Sequence, residues 1–471
     1  MNDFFTSLFK KGKKETLFLL ISLISIFSIV SFVNKRTSFF NMAVQQIIGE
    51  KANITVNVNQ KGANVENLIY LSQGGEEKAN MLNAVMGNLK KLKPNYIRID
   101  HIYDFYQVVA KDEKGNITFD WKKLDNEIES ITEAGALPFI CLSVMPQAIA
   151  SSDDNFLPLR WEDWQYVVQK TVEHISGKDG LAIDNVYYEV WNEPDLFGEY
   201  KLKGARNYLF LYNYASKGAE KAQNTYSFKI GGPATTALYE SWFKDFFSYI
   251  ESSNLRIDFY SWHRYSKNLD DYKSDLENID MWKVNYPKAQ ASEFIISETG
   301  FSSENDPGYD GIFSAIHTLS LYTVFEDKVK IFPFEIKDGP GDKKYWGRWG
   351  MLTNEKFGIP EEKDRFKALE FIKILEGKLL NVEGNGTWVN AIATEKDGII
   401  RLLLVNYDQF GNNWENVPVS FVGLPYKIFN YRKIDFLGKS IDLQIAYDKN
   451  VWKTQIMMAP NTSTIIEISP I

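Results

Sequence analysis

Eight successive strand and helix patterns between residues 66 and 377 constrain the fold of this 471-residue chain more than any other feature. Short β-branched or aromatic runs alternate there with segments whose apolar residues lie three or four positions apart. This order is typical of successive βα units, and eight such units in a row close a barrel. The sequence therefore predicts an α/β fold, a (β/α)8 TIM barrel over residues 66–377. Its strands are predicted at Glu66–Gly74, Asn95–Asp100, Leu137–Ser143, Val186–Trp191, Phe228–Gly232, Ile257–Trp262, Phe294–Glu298 and Lys330–Ile336.

The pattern changes near Glu376, after which apolar and polar residues alternate with a period of two. The runs are separated by Gly, Asn and Pro, which is typical of short antiparallel strands and their turns. We predict a β-sandwich accessory domain over residues 378–471. The early strand Ile54–Val58, in a stalk of residues 34–65, is expected to pair with it. The clearest sandwich strands are predicted at Ile399–Asn406, Val417–Val422, Tyr426–Tyr431 and Ser463–Ile468.

The N-terminal region contains a run of 17 residues without a charge, Leu17–Val33, with four lysines before it and two basic residues after it. A run of this length can span a bilayer, and no small-residue cleavage site follows it. We predict an uncleaved transmembrane helix. The lysines should keep residues 1–16 in the cytoplasm and place the catalytic domain on the extracytoplasmic side. The alternative is a signal peptide, whose cleavage would give a secreted protein.

The composition excludes several kinds of partner and cofactor. The 53 basic and 61 acidic residues give a net charge of −8, so a nucleic-acid partner is not expected. The sequence has four scattered histidines, no Gly-rich phosphate loop and no Cys/His cluster with metal-ligand spacing. We therefore expect no cofactor and no metal. The single cysteine, Cys141, is expected to be a buried thiol.

Two glutamates lie where predicted barrel strands end, which is where the active sites of such barrels are found. Glu193 follows the fourth strand in the segment YYEVWNEPD, and Glu298 ends the seventh strand in FIISETG. Strands four and seven lie on opposite sides of the barrel mouth. The side chains of the two glutamates can therefore converge on one ring held between them.

Converging carboxyl groups are what hydrolysis of a glycosidic bond with retention of configuration requires. One carboxyl group protonates the leaving oxygen, and the other, about 5 to 5.5 Å away, attacks the anomeric carbon. This favours Glu193 as the acid/base and Glu298 as the nucleophile. The alternative is that each glutamate caps a helix or joins a surface ion pair. For Glu193 it is weakened by the flanking Asn192 and Pro194, and for Glu298 mainly by its position at the strand end. An amide can hold a sugar 2-hydroxyl, and a proline stiffens the turn.

An ordered set of segments, found on the second to the seventh predicted strands, is more specific than the WNEP motif alone. In chain order the segments are IRID, LPFICLSVMPQAIA, YYEVWNEPDLF, KIGGPAT, DFYSWHRY and IISETG. With these segments the chain resembles glycoside hydrolase family 39, within a clan of retaining barrel glycosidases that includes β-xylosidases and α-L-iduronidases. The resemblance spans most of the barrel.

The resemblance implies roles for four residues at the strand ends. Glu193 corresponds to the acid/base and Glu298 to the nucleophile, which agrees with the interpretation of the residues themselves. Asn192 corresponds to the ligand of the sugar 2-hydroxyl. Arg98 matches the arginine that pairs with the nucleophile and keeps it ionised. The alternative for Arg98 is a surface ion pair.

Three residues at and after the sixth predicted strand are further candidates. The resemblance implies that His263 and Tyr265 hold the nucleophile and the sugar. A histidine satisfied within the core is the alternative for His263. Arg264 could bind the carboxylate of a uronic acid, or it could be a solvated surface arginine.

The sequence departs from the family pattern after the second strand. Members similar to the xylosidases carry Arg-x-His there, whereas Arg98 is followed by Ile99, Asp100 and His101. Either Asp100 or His101 can take the sugar-binding role, and both stay candidates.

The eighth strand, in the segment KIFPFEIKDG, also lacks the tryptophan that many clan members place there as a sugar platform. Trp346 or Trp349 in the following loop could substitute for it, and Glu335 could bind a hydroxyl group. The alternative for these residues is packing within the core or the loop.

These observations predict a retaining glycoside hydrolase that acts on an oligo- or polysaccharide outside the membrane. One alternative is a catalytically idle carbohydrate-binding or scaffold protein of a surface polysaccharide system. Another is a transglycosylase, because a sugar can intercept the same covalent intermediate in place of water.

Overall fold

The computed structural model describes residues 49–471 apart from residues 66, 76, 79 and 327. The strands of this described part form an eight-stranded sheet, a nine-stranded sheet and a two-stranded hairpin. Numbered in chain order, they are β1 (Ile54–Val65), β2 (Tyr70–Gln73), β3 (Tyr96–Ile99), β4 (Val109–Lys111), β5 (Ile117–Phe119), β6 (Leu137–Leu142), β7 (Val186–Val190), β8 (Phe228–Thr235), β9 (Phe259–Tyr265), β10 (Glu293–Gly300), β11 (Lys330–Pro333), β12 (Gly377–Glu383), β13 (Val389–Lys396), β14 (Ile399–Asn406), β15 (Glu415–Val422), β16 (Ile428–Asp435), β17 (Ser440–Ala446), β18 (Val451–Met458) and β19 (Thr462–Ser469).

The eight-stranded sheet is a parallel, nearly closed barrel. Its strands hydrogen bond in the order β11-β10-β9-β8-β7-β6-β3-β2, and a bridge between Ser72 and Phe334 joins its two ends. The TIM barrel that the alternating pattern predicted is therefore confirmed. The helices of the described residues are α1 (Met86–Leu92), α2 (Lys122–Glu133), α3 (Trp161–Ile175), α4 (Tyr208–Lys221), α5 (Glu240–Ser252), α6 (Leu269–Lys283), α7 (Pro287–Ala291), α8 (Ile312–Phe325) and α9 (Asp364–Ile372), with 3-10 turns at Asn83–Val85, Pro307–Asp310 and Glu355–Phe357.

A layer of aromatic side chains fills the middle of the barrel. The ring of Phe139 lies 5.3 Å from Tyr187, 5.5 Å from Phe259 and 5.0 Å from Phe332, measured between centroids. These rings belong to one buried cluster that water cannot enter. Because side chains alternate along a strand, residues two positions later point the same way. Those later residues, all buried, are Cys141, Glu189, Ser261 and Phe334.

Helix α8 is buried on almost every side because both parts of the protein pack against it. All residues from Ser314 to Thr323 are buried. The helix contacts α9 and β10 of the barrel as well as β13, β14 and β19 of the C-terminal part. Leu403 and Ile465 of that part share one buried cluster with Leu319 of the helix. The helix has no charged residue and so no face that favours water, as burial on almost all sides requires.

The C-terminal part is β-rich, as predicted. Its nine strands hydrogen bond in the order β17-β16-β19-β14-β13-β12-β1-β15-β18. Strand β1, which contains the predicted strand Ile54–Val58, is antiparallel to β12 and parallel to β15. The Trp452 ring of β18 packs at 5.1 Å from Phe429 and 5.5 Å from Tyr431 of β16. Strands β16 and β18, from opposite ends of this order, thus pack face to face in two layers. The hydrogen bonds of β1 to β12 and to β15 connect the two layers.

The ends of several predicted barrel strands are wrong. The first barrel strand begins at Tyr70 and not at Glu66, because Asn67 forms a turn before it. The Asn67 side chain accepts the Ile69 N–H at 2.9 Å and donates to the Lys93 carbonyl at 2.8 Å. Strand β9 continues to Tyr265, three residues beyond its predicted end.

The predicted cytoplasmic tail and transmembrane segment, residues 1–16 and 17–33, lie outside the described residues, as does most of the stalk. Between residues 49 and 471, as far as the structure describes them, no helix is both long and apolar enough to cross a bilayer. The anchor therefore stays a prediction from the sequence.

Candidate active site

Glu298 lies beside a bulge in β10. Ile296 pairs with Trp262 of β9, and Glu298 pairs with the very next residue, His263, so that Ser297 is an extra residue in the strand. An extra residue shifts the alternation of side chains and re-aims those that follow. The Glu298 carboxyl group consequently points into the barrel mouth instead of toward the surrounding helices.

Glu193 stands in a tightly held turn directly after β7. Trp191 and Glu193 have φ angles of 76° and 44°, a region that costs residues other than glycine about 1–3 kcal/mol each. The Glu193 N–H donates to the Ala234 carbonyl at 3.0 Å. Its carbonyl accepts from the N–H groups of Leu196 and Phe197 at 2.9 and 2.7 Å. Neighbouring loops thus fix the backbone from which this carboxyl group projects.

The carboxyl groups of Glu193 and Glu298 meet in a single site. One oxygen of each, together with one ring nitrogen of His263, lies within 4.8 Å of the others. Retaining glycosidases hold their carboxyl groups about 5–5.5 Å apart, whereas inverting enzymes need about 6.5–9.5 Å to admit a water molecule. The observed separation therefore fits direct attack by one of the two carboxylates on a bound sugar.

Arg98, at the end of β3, hydrogen bonds to three residues of the site. Its side chain is completely buried and donates from Nη1 to Glu298 Oε1 at 2.8 Å. The same guanidinium donates from Nε to Glu189 Oε2 and from Nη2 to Asn192 Oδ1, both at 2.7 Å. Burial opposes its charge, but the carboxylates of Glu189 and Glu298 hold the pKa of Arg98 well above its usual value. The predicted pair with Glu298 is present, and it is buried rather than at the surface.

Tyr265 and His263 each contact a catalytic candidate. The Tyr265 hydroxyl donates to Glu298 Oε2 at 2.9 Å. His263 Nδ1 lies 2.8 Å from Glu193 Oε1 and 3.5 Å from Glu298 Oε2, so its shorter contact is with the predicted acid/base and not with the nucleophile. Burial lowers the pKa of His263, but Glu298 and Glu193 outweigh this effect and raise it above the ordinary value.

Burial raises the pKa of the Glu298 carboxyl group, and the positive charges of His263 and Arg98 oppose that rise. Without those cations, burial would raise the pKa of this carboxyl group further. The net effect is a Glu298 pKa above its ordinary value, with two cations that limit the rise.

Glu193, His263 and Glu298 are also the only group of acidic, His or Cys ligand atoms within the described residues that is close enough to hold a metal ion. Arg98 already donates to Glu298 at 2.8 Å, and its charge would repel a divalent cation at this position. The group is therefore better explained as a pair of carboxyl groups, Glu193 and Glu298, next to the cationic side chains of His263 and Arg98 than as a metal site.

Comparison with known proteins identifies the relatives of this arrangement. The family model for glycosyl hydrolases family 39 matches residues 71–296, which contain Arg98, Glu193 and His263. A β-xylosidase of Caldicellulosiruptor saccharolyticus is 24% identical over 396 residues, 76% of this chain and 77% of the relative. The β-xylosidase of Geobacillus stearothermophilus is 24% identical over 385 residues, 74% of this chain and 72% of the relative.

The chain belongs to glycosyl hydrolases family 39. It is accordingly a glycosidase, and a carbohydrate is its substrate. Solved structures agree with the fold. The family 39 enzyme of Xanthomonas axonopodis pv. citri superposes with a TM-score of 0.71 at 17% identity, covering 90% of this chain and 98% of that one. A monomeric β-xylosidase of Caulobacter crescentus gives 0.72 at 18% identity, covering 89% and 100%.

The two residues at which this family 39 member departs from the Arg-x-His pattern occupy different environments. Asp100 is 3% exposed, and its Oδ1 has no hydrogen-bond partner among the described residues. Burial raises the pKa of Asp100. His101 instead bonds Asp104 through Nδ1 at 3.0 Å and stacks on Phe105 at 4.4 Å. His101 therefore interacts within its own loop, whereas Asp100 keeps one carboxylate oxygen that no described residue hydrogen bonds.

The candidate tryptophans near the eighth strand do not both lie beside Glu193 and Glu298. Trp346 lies under the Arg348 guanidinium at 5.4 Å and lines an open cavity of about 560 Å³ with Tyr345. Trp349 packs on Phe334 at 5.2 Å between ring centroids. Phe334 in turn lies 6.4 Å from the Tyr265 ring, so Trp349 is linked to the site more directly than Trp346.

Two further sequence candidates have internal partners. Glu335 is fully buried, and its Oε2 accepts from Gln73 Nε2 at 2.9 Å. Arg264 donates from Nε and Nη2 to Asp275 at 2.8 and 2.5 Å, inside the barrel wall. Arg264 is therefore neither a solvated surface arginine nor positioned to bind a uronic acid.

Sequence reasoning missed Glu189, the second carboxylate on Arg98. The signal was present, because Glu189 is the one charged residue of the buried strand segment VYYEV. A charge within such a strand needs a partner, and here the partner is Arg98. Cys141 on the neighbouring strand is buried, as predicted, and burial holds the pKa of its thiol well above the usual value.

Removing the Arg98 charge should destabilise the fold. Arg98→Met leaves Glu189 and Glu298 buried without their cation, and we expect the free energy of unfolding to fall by about 3–5 kcal/mol. Chemical denaturation of the variant and of the unmodified chain measures the change. Adding Glu189→Gln should restore part of the loss, because it removes one uncompensated charge.

Arg160 provides the matched control, since it pairs with Asp163 at the surface and its side chain is 67% exposed. Arg160→Met should cost no more than about 1 kcal/mol. Equal losses for Arg98→Met and Arg160→Met would show that the buried pair does not hold the site together.

Proposed function

We propose that this family 39 member is a retaining glycoside hydrolase that cleaves O-glycosidic bonds of an oligo- or polysaccharide through a covalent glycosyl-enzyme intermediate. The observation that carries the proposal is the approach of Glu193 and Glu298 to within 4.8 Å, with Arg98 and Tyr265 donating to Glu298. Both oxygens of Glu298 thus face hydrogen-bond donors, as suits a carboxylate that attacks.

In the first step, Glu193 gives its proton to the leaving oxygen while that oxygen departs from the anomeric carbon. Glu298 forms a bond to the same carbon from the opposite face, and the sugar becomes attached to the protein. Asn192 Oδ1 is occupied by Arg98, so its amide N–H groups are the part that can donate to the sugar 2-hydroxyl. A hydrogen bond at that hydroxyl strengthens in the transition state.

In the second step, Glu193 acts as a base. It takes a proton from water, the water oxygen bonds to the anomeric carbon, and Glu298 leaves as a carboxylate. His263, at 2.8 Å from Glu193 Oε1, stabilises the ionised Glu193 that this step requires. Arg98 and Tyr265 then donate hydrogen bonds to the released carboxylate of Glu298 again.

A β-xyloside is the first substrate to test. The curated relatives in this comparison are named β-xylosidases, although their identity to this chain is 24%. A uronic acid is disfavoured as far as Arg264 is concerned, because Asp275 already neutralises that guanidinium. Aryl xyloside, glucoside, galactoside, arabinoside and iduronide form the panel from which the preferred sugar is identified.

Replacing the nucleophile should abolish turnover. We expect Glu298→Gln to lower kcat for the best aryl glycoside of the panel by at least about 10³-fold, because an amide cannot form the glycosyl ester. Release of the aryl group measures the rate. Glu304→Gln, an exposed substitution in the loop after β10, is the control and should leave the rate unchanged. Full activity of Glu298→Gln would refute the assignment.

Replacing the acid/base should produce a different defect. Glu193→Ala should slow hydrolysis of the intermediate more than its formation when the leaving group is a good one, since such a group needs little protonation. Azide, which needs no general base, should then raise the rate and give a glycosyl azide of retained configuration. NMR of the product identifies the anomer. A product of inverted configuration, or no response to azide, would contradict the role of Glu193.

We also propose that residues 17–33 anchor the protein with its catalytic part on the extracytoplasmic side. The support is the charge-free run Leu17–Val33 and the four lysines before it. In intact cells, added protease should digest the catalytic part, and washing of membranes with carbonate should not release it. Recovery of the full-length chain in the soluble fraction would contradict the anchor.

A further inference from the structure

A second cavity, outside the carboxylate site, lies between the barrel and the C-terminal part. Its volume is about 510 Å³, which falls within the range of ligand pockets. One wall comes from the segment that begins α6, and the other comes from two loops of the β-rich part. The first wall includes Lys267, and the second includes Trp388, Gln409, Phe410 and Asn412.

One wall of the cavity follows β9, whose last residue contacts the active site. Tyr265, at the end of β9, donates to Glu298, and Lys267 stands only two residues further along the chain. Two residues span at most about 7 Å of chain. A chain-like ligand bound at Glu298 could therefore extend toward this cavity.

The loop of residues 408–414, here called the Asp408 loop, is rigid. Asp408 Oδ1 accepts the Phe410 N–H at 2.9 Å, and Oδ2 accepts the N–H groups of Asn412 and Asn413 at 2.7 and 2.8 Å. The backbone of Asp408 is fixed in turn by two hydrogen bonds from and to the Asn461 side chain, at 3.1 and 2.9 Å. A loop tied in this way loses little entropy when it binds a ligand.

The side chains that the Asp408 loop presents are free to bind. Phe410 is 62% exposed, and neither an aromatic nor a cationic contact of its ring occurs within the described part of the chain. The side-chain amides of Gln409 and Asn412 likewise make no hydrogen bond to a described residue. Trp388, on the neighbouring loop, is half-buried under Lys51 Nζ at 5.2 Å and is the fixed member of the set.

We infer that this cavity is an accessory binding site for a neutral glycan chain, which holds a part of the substrate remote from the cleaved bond. The inference rests on the proposed function for its ligand class. Sugar rings offer apolar C–H faces that stack on Phe410 and Trp388, and hydroxyl groups that pair with the amides of Gln409 and Asn412. The charged lining residues Lys267 and Asp408 have partners within the protein, Asp306 for Lys267 and the loop N–H groups for Asp408, so the free groups of the β-rich wall are an aromatic ring and amides, which suit a neutral polysaccharide.

Binding is tested on the full chain carrying Glu298→Gln, so that the glycan is not degraded. Affinity electrophoresis is run in gels that contain soluble xylan, mixed-linkage β-glucan or linear arabinan. At least one glycan should retard the protein, and Phe410→Ala should weaken the dissociation constant for it by roughly 3- to 10-fold. Asn412→Ala should have an effect of the same sign.

Phe210→Ala is the matched control, because Phe210 is 44% exposed on α4 and its loss removes the same ring elsewhere. It should leave retardation unchanged. In the chain with Glu298 intact, Phe410→Ala should preserve kcat/KM for a single-sugar aryl glycoside and lower it for the retarding glycan. Failure of aryl glycoside turnover in the unmodified chain would instead count against the proposed function.

Three results would overturn the accessory site. One is the absence of retardation by all three glycans, and another is retardation that Phe410→Ala and Asn412→Ala do not reduce. The third is a dimer in sedimentation velocity that Phe410→Ala converts to a monomer, since the surface would then bind a second copy of this chain.

Discussion

The buried charge of Arg98 is the constraint on which the rest of the active site depends. A guanidinium in the barrel interior is tolerated only if acceptors surround it, and Glu189, Glu298 and Asn192 fill that requirement from three other strands or turns. The same cation acts on Glu298, because burial raises the pKa of this carboxyl group and the charges of His263 and Arg98 limit the rise. Arg98 thereby links β3 to β10 and to the end of β7 by charge, in addition to the hydrogen bonds of the barrel sheet.

The aromatic layer below Arg98 strengthens the electrostatic interactions of its charge. Phe139, Tyr187, Phe259 and Phe332 exclude water from the middle of the barrel, so the charges above them interact at a low effective dielectric constant. Two residues after Phe139, Tyr187 and Phe259, the buried residues Cys141, Glu189 and Ser261 take the place of the rings, and Glu189 accepts from Arg98. On these three strands the change from aromatic to polar side chains thus marks the level at which the charged site begins.

Most of the barrel, but only part of the site, could be predicted from the sequence. Alternation of strand and helix patterns is a local signal, and it predicted all eight strands and placed Glu193 and Glu298 at strand ends. Register is not local. The extra residue Ser297, which aims Glu298 inward, is defined by pairing with β9. For the same reason the pattern did not show that His263 lies nearer to Glu193 than to Glu298, or that Asp275 neutralises Arg264, since these partners are set by neighbouring elements.

The C-terminal part contributes to the site through the residues that follow Tyr265. The Tyr407 hydroxyl, from the β-rich part, donates to the Lys267 carbonyl at 2.7 Å, and His317 Nε2 donates to the Ser266 carbonyl at 2.8 Å. Burial, assisted by Arg365, lowers the pKa of His317 to about 3, so this histidine stays neutral and keeps its donor in place. Two hydrogen bonds therefore hold the backbone directly beyond Tyr265, whose hydroxyl binds Glu298. Because one of them begins in the β-rich part, that part stabilises the backbone next to Tyr265, which donates to the predicted nucleophile.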